Sequence, residues 1–201
     1  MDTPLFPPNP PLIMLGGHMS QHETELIIRC HDRIFRKVSA SDHSGQALFR
    51  VEGARFGTSW SWRRKVFDSV TDKHLFDVRH ENFDIKNKWV VETPDALQLC
   101  SLVHKAQLTS NHSSINVTVR TEAGEQVLVV MRQVDRSALT VIISIGDTTI
   151  ATIQKTEDND ITFLGNKDRS VWKARVAAGV DLKLIMAIAL CRAEMGHLWR
   201  Q

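Results

Sequence analysis

Val180-Asp181-Leu182-Lys183-Leu184-Ile185-Met186-Ala187-Ile188-Ala189-Leu190-Cys191-Arg192-Ala193-Glu194-Met195-Gly196-His197-Leu198-Trp199 is the last long apolar stretch of this chain. From Leu184 to Cys191 no residue is charged or strongly polar, and Leu, Met and Ala favour helix. An amphipathic surface helix shows one apolar stripe. Here the apolar residues run round the whole circumference, so the helix must be enclosed by lipid or by its own protein. Asp181, Lys183, Arg192 and Glu194 confine the uncharged centre to less than the ~18–20 residues a membrane span requires. The stretch therefore predicts a buried core helix, with Asp181 in its first turn and Leu184, Ile185, Ile188 and Cys191 in the core.

Almost everything before the helix reads as short strands. The pattern predicts strands over Glu25–Cys30, Ile34–Val38, Ala47–Val51, Thr58–Phe67, Leu75–Arg79, Lys88–Glu92, Ser114–Thr121, Gln126–Gln133, Leu139–Ile145, Thr148–Lys155 and Ser170–Val176. Leu97–His104 fits helix or strand, and its length and neighbours favour strand. Ile161–Leu164 is a short apolar run inside a polar stretch. Turn signals separate these runs: Asp32-Arg33, the cluster from Ser41 to Gly45, Thr71-Asp72-Lys73, Ala123-Gly124, and Gly146-Asp147, a strong two-residue hairpin signal. About twelve short, evenly spaced strands read as a barrel or a sandwich. A barrel removes the exposed edges that so many apolar strands would leave, and a helix apolar on every side can fill it.

The first 22 residues hold Pro4, Pro7, Pro8, Pro10 and Pro11, all but one of the six prolines. This segment cannot be helical and is expected as a leader over the surface, with Leu12 to Leu15 apolar enough to dock. A protein partner binding its Pro-x-x-Pro spacing is the alternative. The organisation expected is thus a Pro-rich leader over 1–22 and one barrel domain over 23–201. With Asp2 and prolines at the start there is no signal-peptide pattern, which points to a cytoplasmic protein. Three separated cysteines, Cys30, Cys100 and Cys191, fit a reducing compartment. With 25 basic and 23 acidic residues, bulk charge does not argue for nucleic acid, and any basic site must be local.

The order of features resembles the LURP-one-related family, which belongs with the tubby C-terminal domains and the phospholipid scramblases. Gly179-Val180-Asp181 runs into the aliphatic helix. A Pro-rich leader precedes the first strand. A turn with Asp42 and Gly45 leads to Leu48-Phe49-Arg50-Val51 and Gly53. The basic strand with Arg63-Arg64-Lys65 precedes Asp68 and Leu75-Phe76, and Ile150-Ala151-Thr152-Ile153-Gln154-Lys155 resembles a late strand of that family. The likeness spans residues ~12–198. Ser69-Val70-Thr71-Asp72 stands where the family has a turn glycine. The resemblance implies a mainly β fold: an antiparallel, closed barrel of about twelve strands around the buried C-terminal helix.

The function it implies is a non-enzymatic binding module, for a phosphoinositide headgroup or other anionic membrane surface at the periphery of a membrane, or for a protein. The alternative is a scramblase-like lipid transporter whose last helix inserts. Arg63, Arg64 and Lys65 form the densest basic run, suited to phosphates, with Arg63 and Lys65 on one strand face and Arg64 on the other. Trp60 and Trp62, on the same strand, could rest at a membrane interface. Glu157, Asp158 and Asp160 offer oxygen ligands for calcium without EF-hand spacing. The nine histidines, His18 and His22 among them, show no zinc-ligand spacing. No nucleophile elbow, P-loop or dinucleotide fingerprint is present, so neither catalysis nor a cofactor is expected.

Overall fold

The computed structural model describes residues 3–14, 19–32, 36–53, 63–81, 88–105, 114–134, 140–157 and 170–198; within α1, side chains are described up to Arg192. Twelve strands precede one helix: β1 Thr24–Cys30, β2 Lys37–Asp42, β3 Ala47–Gly53, β4 Arg64–Asp68, β5 His74–Glu81, β6 Lys88–Glu92, β7 Gln98–Lys105, β8 Ser114–Arg120, β9 Gln126–Gln133, β10 Thr140–Ile145, β11 Thr148–Glu157, β12 Val171–Val176 and α1 Leu182–Leu198. Each strand pairs antiparallel with its sequence neighbours, and β1 pairs with β12, so the sheet closes. The barrel, rather than the sandwich, is the solution adopted. Sequential hairpins are the shortest way to connect antiparallel strands, and closure leaves no unpaired edge.

One face of every strand lines the interior. Leu26 and Ile28 of β1, Val66 of β4, Phe76 and Val78 of β5, Leu102 of β7 and Ile153 of β11 are all buried there. The helix fills the space they enclose. From Leu182 to Cys191 every residue is buried except the half-buried Lys183. Leu184, Ile185, Ile188 and Cys191 are fully buried, as a helix apolar all round requires.

The two ends of the barrel differ. At the upper end, where α1 begins, the strand-to-strand connections are two to five residues long; at the lower end they run from six to thirteen. The upper turns share a device. Asp42 Oδ1 accepts Ser44 N at 2.9 Å and Gln46 N at 2.9 Å, and Asp68 Oδ1 accepts Val70 N at 2.9 Å and Thr71 N at 2.8 Å. These are Asx turns, in which a side-chain oxygen takes over backbone donors. The hydrogen bond from Ser44 and the two backbone N–H groups hold the Asp42 carboxyl below its usual range. Asp72, near the position of the absent glycine, adopts φ +57°, a conformation aspartate tolerates.

Several expectations shift in detail. The second strand begins at Lys37 rather than Ile34 and runs on through Ser41 and Asp42. Asp32 accepts Arg36 N at 2.9 Å and Lys37 N at 2.8 Å, so a side chain holds the backbone N–H groups there and delays the ladder. Ile34 lies outside the described residues, as do Thr58 to Trp62 and the run Ile161–Leu164. The ambiguous seventh segment is strand, Gln98–Lys105. Asp181 precedes α1 instead of lying in its first turn: its Oδ1 accepts Lys183 N at 2.9 Å, the geometry of a helix N-cap.

The leader seals the upper end. Leu12 N donates to Gly179 O at 2.9 Å and Asp181 N to Leu12 O at 3.0 Å. Ser20 N donates to Val180 O at 3.2 Å and Gly179 N to Ser20 O at 2.8 Å. Leu12 and Met14 are thereby buried in the same core as α1. Asp181 Oδ2 accepts Met14 N at 3.0 Å, so one buried carboxylate joins the leader to the helix start. Gly179 sits at φ +79° beside Pro11, a backbone conformation that favours glycine.

Candidate functional site

The basic run lies on β4 and just before it, and the sheet places its members on opposite sides. Arg64 faces inward beside Val66 and is only 3% exposed, whereas Lys65 faces solvent. That is the alternation read from the sequence. Lys65 stands opposite Asp77 of β5, and Asp77 opposite Glu92 of β6, so these three share the outer wall.

Arg63 is not a free cation on this wall. Its Nη1 donates to Asp77 Oδ2 at 2.5 Å and its Nη2 to Glu92 Oε1 at 2.8 Å. Both carboxylates are buried although they lie on the outer face. Arg79 Nε donates to the second oxygen of Glu92 at 3.0 Å, and His74 Nε2 lies 2.7 Å from Asp77 Oδ1. Two like charges directly across a ladder repel, and the arginines between them offset that repulsion with charge-assisted hydrogen bonds.

The network continues in both directions. Glu81 pairs with Lys88 at 2.8 Å and with Arg79 at 3.8 Å. On the other side Phe67 lies 5.0 Å from His74, and the Arg50 guanidinium lies 4.6 Å above the Phe67 ring. Arg50 is also paired with Glu52 and Asp72, and these two carboxylates hold its proton more firmly than usual, Asp72 most. The result is a belt of ion pairs across β3–β6. Arg50, Arg63, Arg79 and Lys88 meet Glu52, Asp72, Asp77, Glu81 and Glu92, and Lys65 brings this group to five cations and five carboxylates among the described residues.

Lys65 has no ion pair among the described residues, and it is the one member of the basic run that is both exposed and uncompensated by a direct contact. Trp60 and Trp62 lie outside the described residues, so the expected aromatic neighbours of this wall are not placed. Asp158 and Asp160 are likewise outside; Glu157 ends β11 in an exposed position. His22 is described and His18 is not. Among the described residues no group of three or more His, Cys, Asp or Glu could hold a metal ion. Cys30, Cys100 and Cys191 are buried, and burial, with the Asp181 charge, pushes the Cys100 thiol far above its usual range, which leaves it protonated and inert.

Sequence reasoning missed the carboxylate half of the belt. Asp77 sits between inward Phe76 and Val78, and Glu92 follows Val90-Val91. Each reads alone as a solvated strand residue. Only the register of β5 on β6 makes them neighbours.

These features define a class: a closed, sequentially paired barrel of twelve strands whose interior is taken up by its own C-terminal helix, with polar chemistry on the wall and rims. The family model described as LURP-one-related matches residues 24–193, and the chain belongs to that family. The same fold occurs in the X-ray structure of a protein from Arabidopsis thaliana, which shares 12% identity at a TM-score of 0.60, over 89% of this chain and 94% of that one. No curated protein matches the chain. No helix among the described residues is long and apolar enough to cross a membrane.

Proposed function

We propose that this chain is a non-enzymatic binding module of the tubby-like barrel type, which recognises a protein partner through the outer wall of β3–β6. The observation that carries this reading is the belt itself. Among the described residues, Arg50, Arg63, Arg79 and Lys88 are held by five carboxylates on or beside four strands, with Asp77 and Glu92 buried under Arg63 and Arg79. A wall of mixed, fixed charges has little net field to draw an anionic membrane. It does present a defined pattern of charge, and complementary patterns give specificity and orientation between proteins.

A second reading, an anionic headgroup at the same wall, is favoured by Lys65, which is exposed and has no ion pair among the described residues. A headgroup seated there would have to draw Arg63 away from two carboxylates. The scramblase-like alternative requires α1 to leave the interior, although Leu184 to Cys191 form part of the core.

Two measurements on the full chain separate these readings. A photoreactive residue at position 52, directly across the ladder from Lys65, is expected to cross-link one protein, with the yield falling at least about tenfold in Lys65→Glu, as expected for a charged contact of central importance. Flotation with phosphatidylcholine vesicles, with and without phosphoinositide, is expected to show no difference. Phosphoinositide-dependent flotation that Arg63→Ala with Lys65→Ala abolishes would move the site to the second reading. Failure of both measurements would remove the wall as a recognition surface.

A further inference from the structure

The outer wall changes character between β3 and its neighbours β2 and β1. Directly paired residues share a face of the sheet. Arg29 of β1 is paired with Ser39 of β2. One step below, His31 N donates to Lys37 O at 2.8 Å, which carries the same register past the end of β1. The alternate residues Ile28, Cys30, Val38 and Ala40 are buried in the core. Arg29, His31, Lys37 and Ser39 therefore face outward, the first three exposed and Ser39 half-buried. They stand at the corners of a square about 5 Å across the ladder and about 7 Å along it.

The carboxylates around this square are committed elsewhere. Glu52 is directly across the ladder from Lys37, yet it pairs with Arg50 on its own strand. Glu25, four residues up β1 on the same face, pairs with Lys173 at 2.7 Å. Asp32 accepts the backbone N–H groups of Arg36 and Lys37. Arg50, across from Ser39 on its other side, lies over Phe67 and pairs with Glu52 and Asp72. Arg29 and Lys37 make no side-chain hydrogen bond or ion pair among the described residues. On β3–β6 the cations are matched by acids; on this square they are not.

One corner is already ordered by a side-chain contact. His31 Nε2 lies 2.7 Å from Ser39 Oγ. With the ring proton on Nε2, the imidazole donates to the hydroxyl oxygen, and the hydroxyl hydrogen is free to point outward. Ser39 adjoins both cations, Arg29 across the ladder and Lys37 two residues along the strand. Arginine and lysine carry their charge on long stems, so both heads can lean over the short serine between them.

We propose that the outer face of β1–β2 is a binding site for a phosphate monoester, held by Arg29, Lys37 and the Ser39 hydroxyl, with His31 fixing that hydroxyl. A phosphate group has three strong acceptor oxygens and close to two negative charges. The square offers a guanidinium fork, an ammonium point charge and a neutral hydroxyl, from three directions. Its positive excess is small and bordered by Glu25, Asp32 and Glu52. A flat anionic membrane would meet those carboxylates as well, whereas a single monoester meets the square alone. A small phosphate ester in solution and a phosphorylated side chain of a protein offer the same chemistry. The site contains none of Arg63, Lys65, Asp77 and Glu92, so it stands apart from the reading of the β3–β6 wall.

The test follows the backbone amide resonances of residues 29, 37 and 39 in the 15N-labelled full chain. The probes are inorganic phosphate and N-acetyl-phosphoserine amide, at about pH 7.5, where the second phosphate ionisation, near about 6, is complete. A saturable shift with either probe is expected. Arg29→Gln and Lys37→Gln should each weaken it about tenfold, the scale of a lost charged hydrogen bond, and Ser39→Ala about threefold. Both cations are exposed, so these variants leave the core intact. Arg132→Gln removes the same charge from an exposed position on β9 and should leave the affinity unchanged. Tighter binding of the phosphoserine amide would identify a phosphorylated side chain as the source; equal or tighter binding of phosphate would identify the free anion. No saturable shift, a shift matched by chloride at equal ionic strength, a shift undiminished in Arg29→Gln and Lys37→Gln, or an equal loss in Arg132→Gln overturns the proposal. So does Arg29-dependent flotation with phosphoinositide vesicles in the absence of any phosphate response, which would make the face a membrane contact. Arg63→Ala with Lys65→Ala should leave the phosphate response unchanged, which keeps this result separate from the test of the β3–β6 wall.

Discussion

The two ends of this barrel resolve the same problem in opposite ways. Each must close a wide cylinder around a helix end without leaving buried polar groups unmatched. At the upper end, backbone does the work. The leader pairs with Gly179–Asp181, Leu12 and Met14 complete the core, and the Asp181 carboxylate is shared between the leader and the helix cap. At the lower end, side chains line the wall instead: Arg64, His80, Trp89 and His104 stand on the inward rows of β4–β7, and the Trp89 Nε1–H has no acceptor among the described residues. An end saturated internally has no valence for a ligand. The difference teaches that one barrel can be closed by backbone pairing at one end and lined by long polar side chains at the other.

If the upper end is a structural seal, its residues should carry stability out of proportion to their number. Leu12→Ala combined with Met14→Ala is expected to lower unfolding free energy by about 5 kcal/mol, from two large-to-small changes in the core. Urea denaturation measures this, and a loss below about 1 kcal/mol would make the leader an ornament on the surface rather than part of the seal. Asp181→Ala should cost about 3 kcal/mol by the same measurement, from a lost N-cap and the Met14 N–H left buried without a partner. Asp181→Asn keeps an acceptor and should cost clearly less.

A smaller effect lies in an upper turn. Ala96 is held at φ +64°, where a side chain is strained. Ala96→Gly is expected to gain up to about 1 kcal/mol, since the relief of strain exceeds the added freedom of the unfolded chain. A loss on this substitution would show the turn to be unstrained.

The lower end should show itself through pH. Burial first, and the Arg192 charge second, hold the His104 pKa below its ordinary value of about 6.5. The folded state thus prefers the neutral ring. The associated stability is complete above about pH 6.5 and is lost as pH falls through the folded-state value, because the unfolded chain binds the proton first. His104→Gln should flatten the fall in urea midpoint between pH 7.5 and pH 5, and an unchanged slope would place the acid sensitivity elsewhere.

Much of this could be read from residues alone. The circumferential apolarity from Leu184 to Cys191 required an enclosure, and alternating strands separated by turn residues supplied one. Facing was also legible, since period two put Arg64 with Val66 and Arg63 with Lys65 on opposite sides. The partners of those residues were not. Asp77 and Glu92 are 15 positions apart in sequence, and nothing local marks them as the acceptors of Arg63. Similarly His80, Trp89 and His104 lie on three strands and show no spacing motif. One hint was available: each continues the inward parity of an apolar row, so a polar residue falls where periodicity demands an apolar one.

Local physics, then, determined the class of fold: the period of each strand, the enclosure demanded by a helix with no polar face, and the punctuation of turns all act within a few residues of chain. Tertiary structure alone decided which charges neutralise which, which carboxylate caps the helix and receives the leader, and which polar side chains line the inner wall at the lower end. Those outcomes depend on strand register and on the depth of α1 in the barrel, quantities set by the packing of the whole core and written in no single segment.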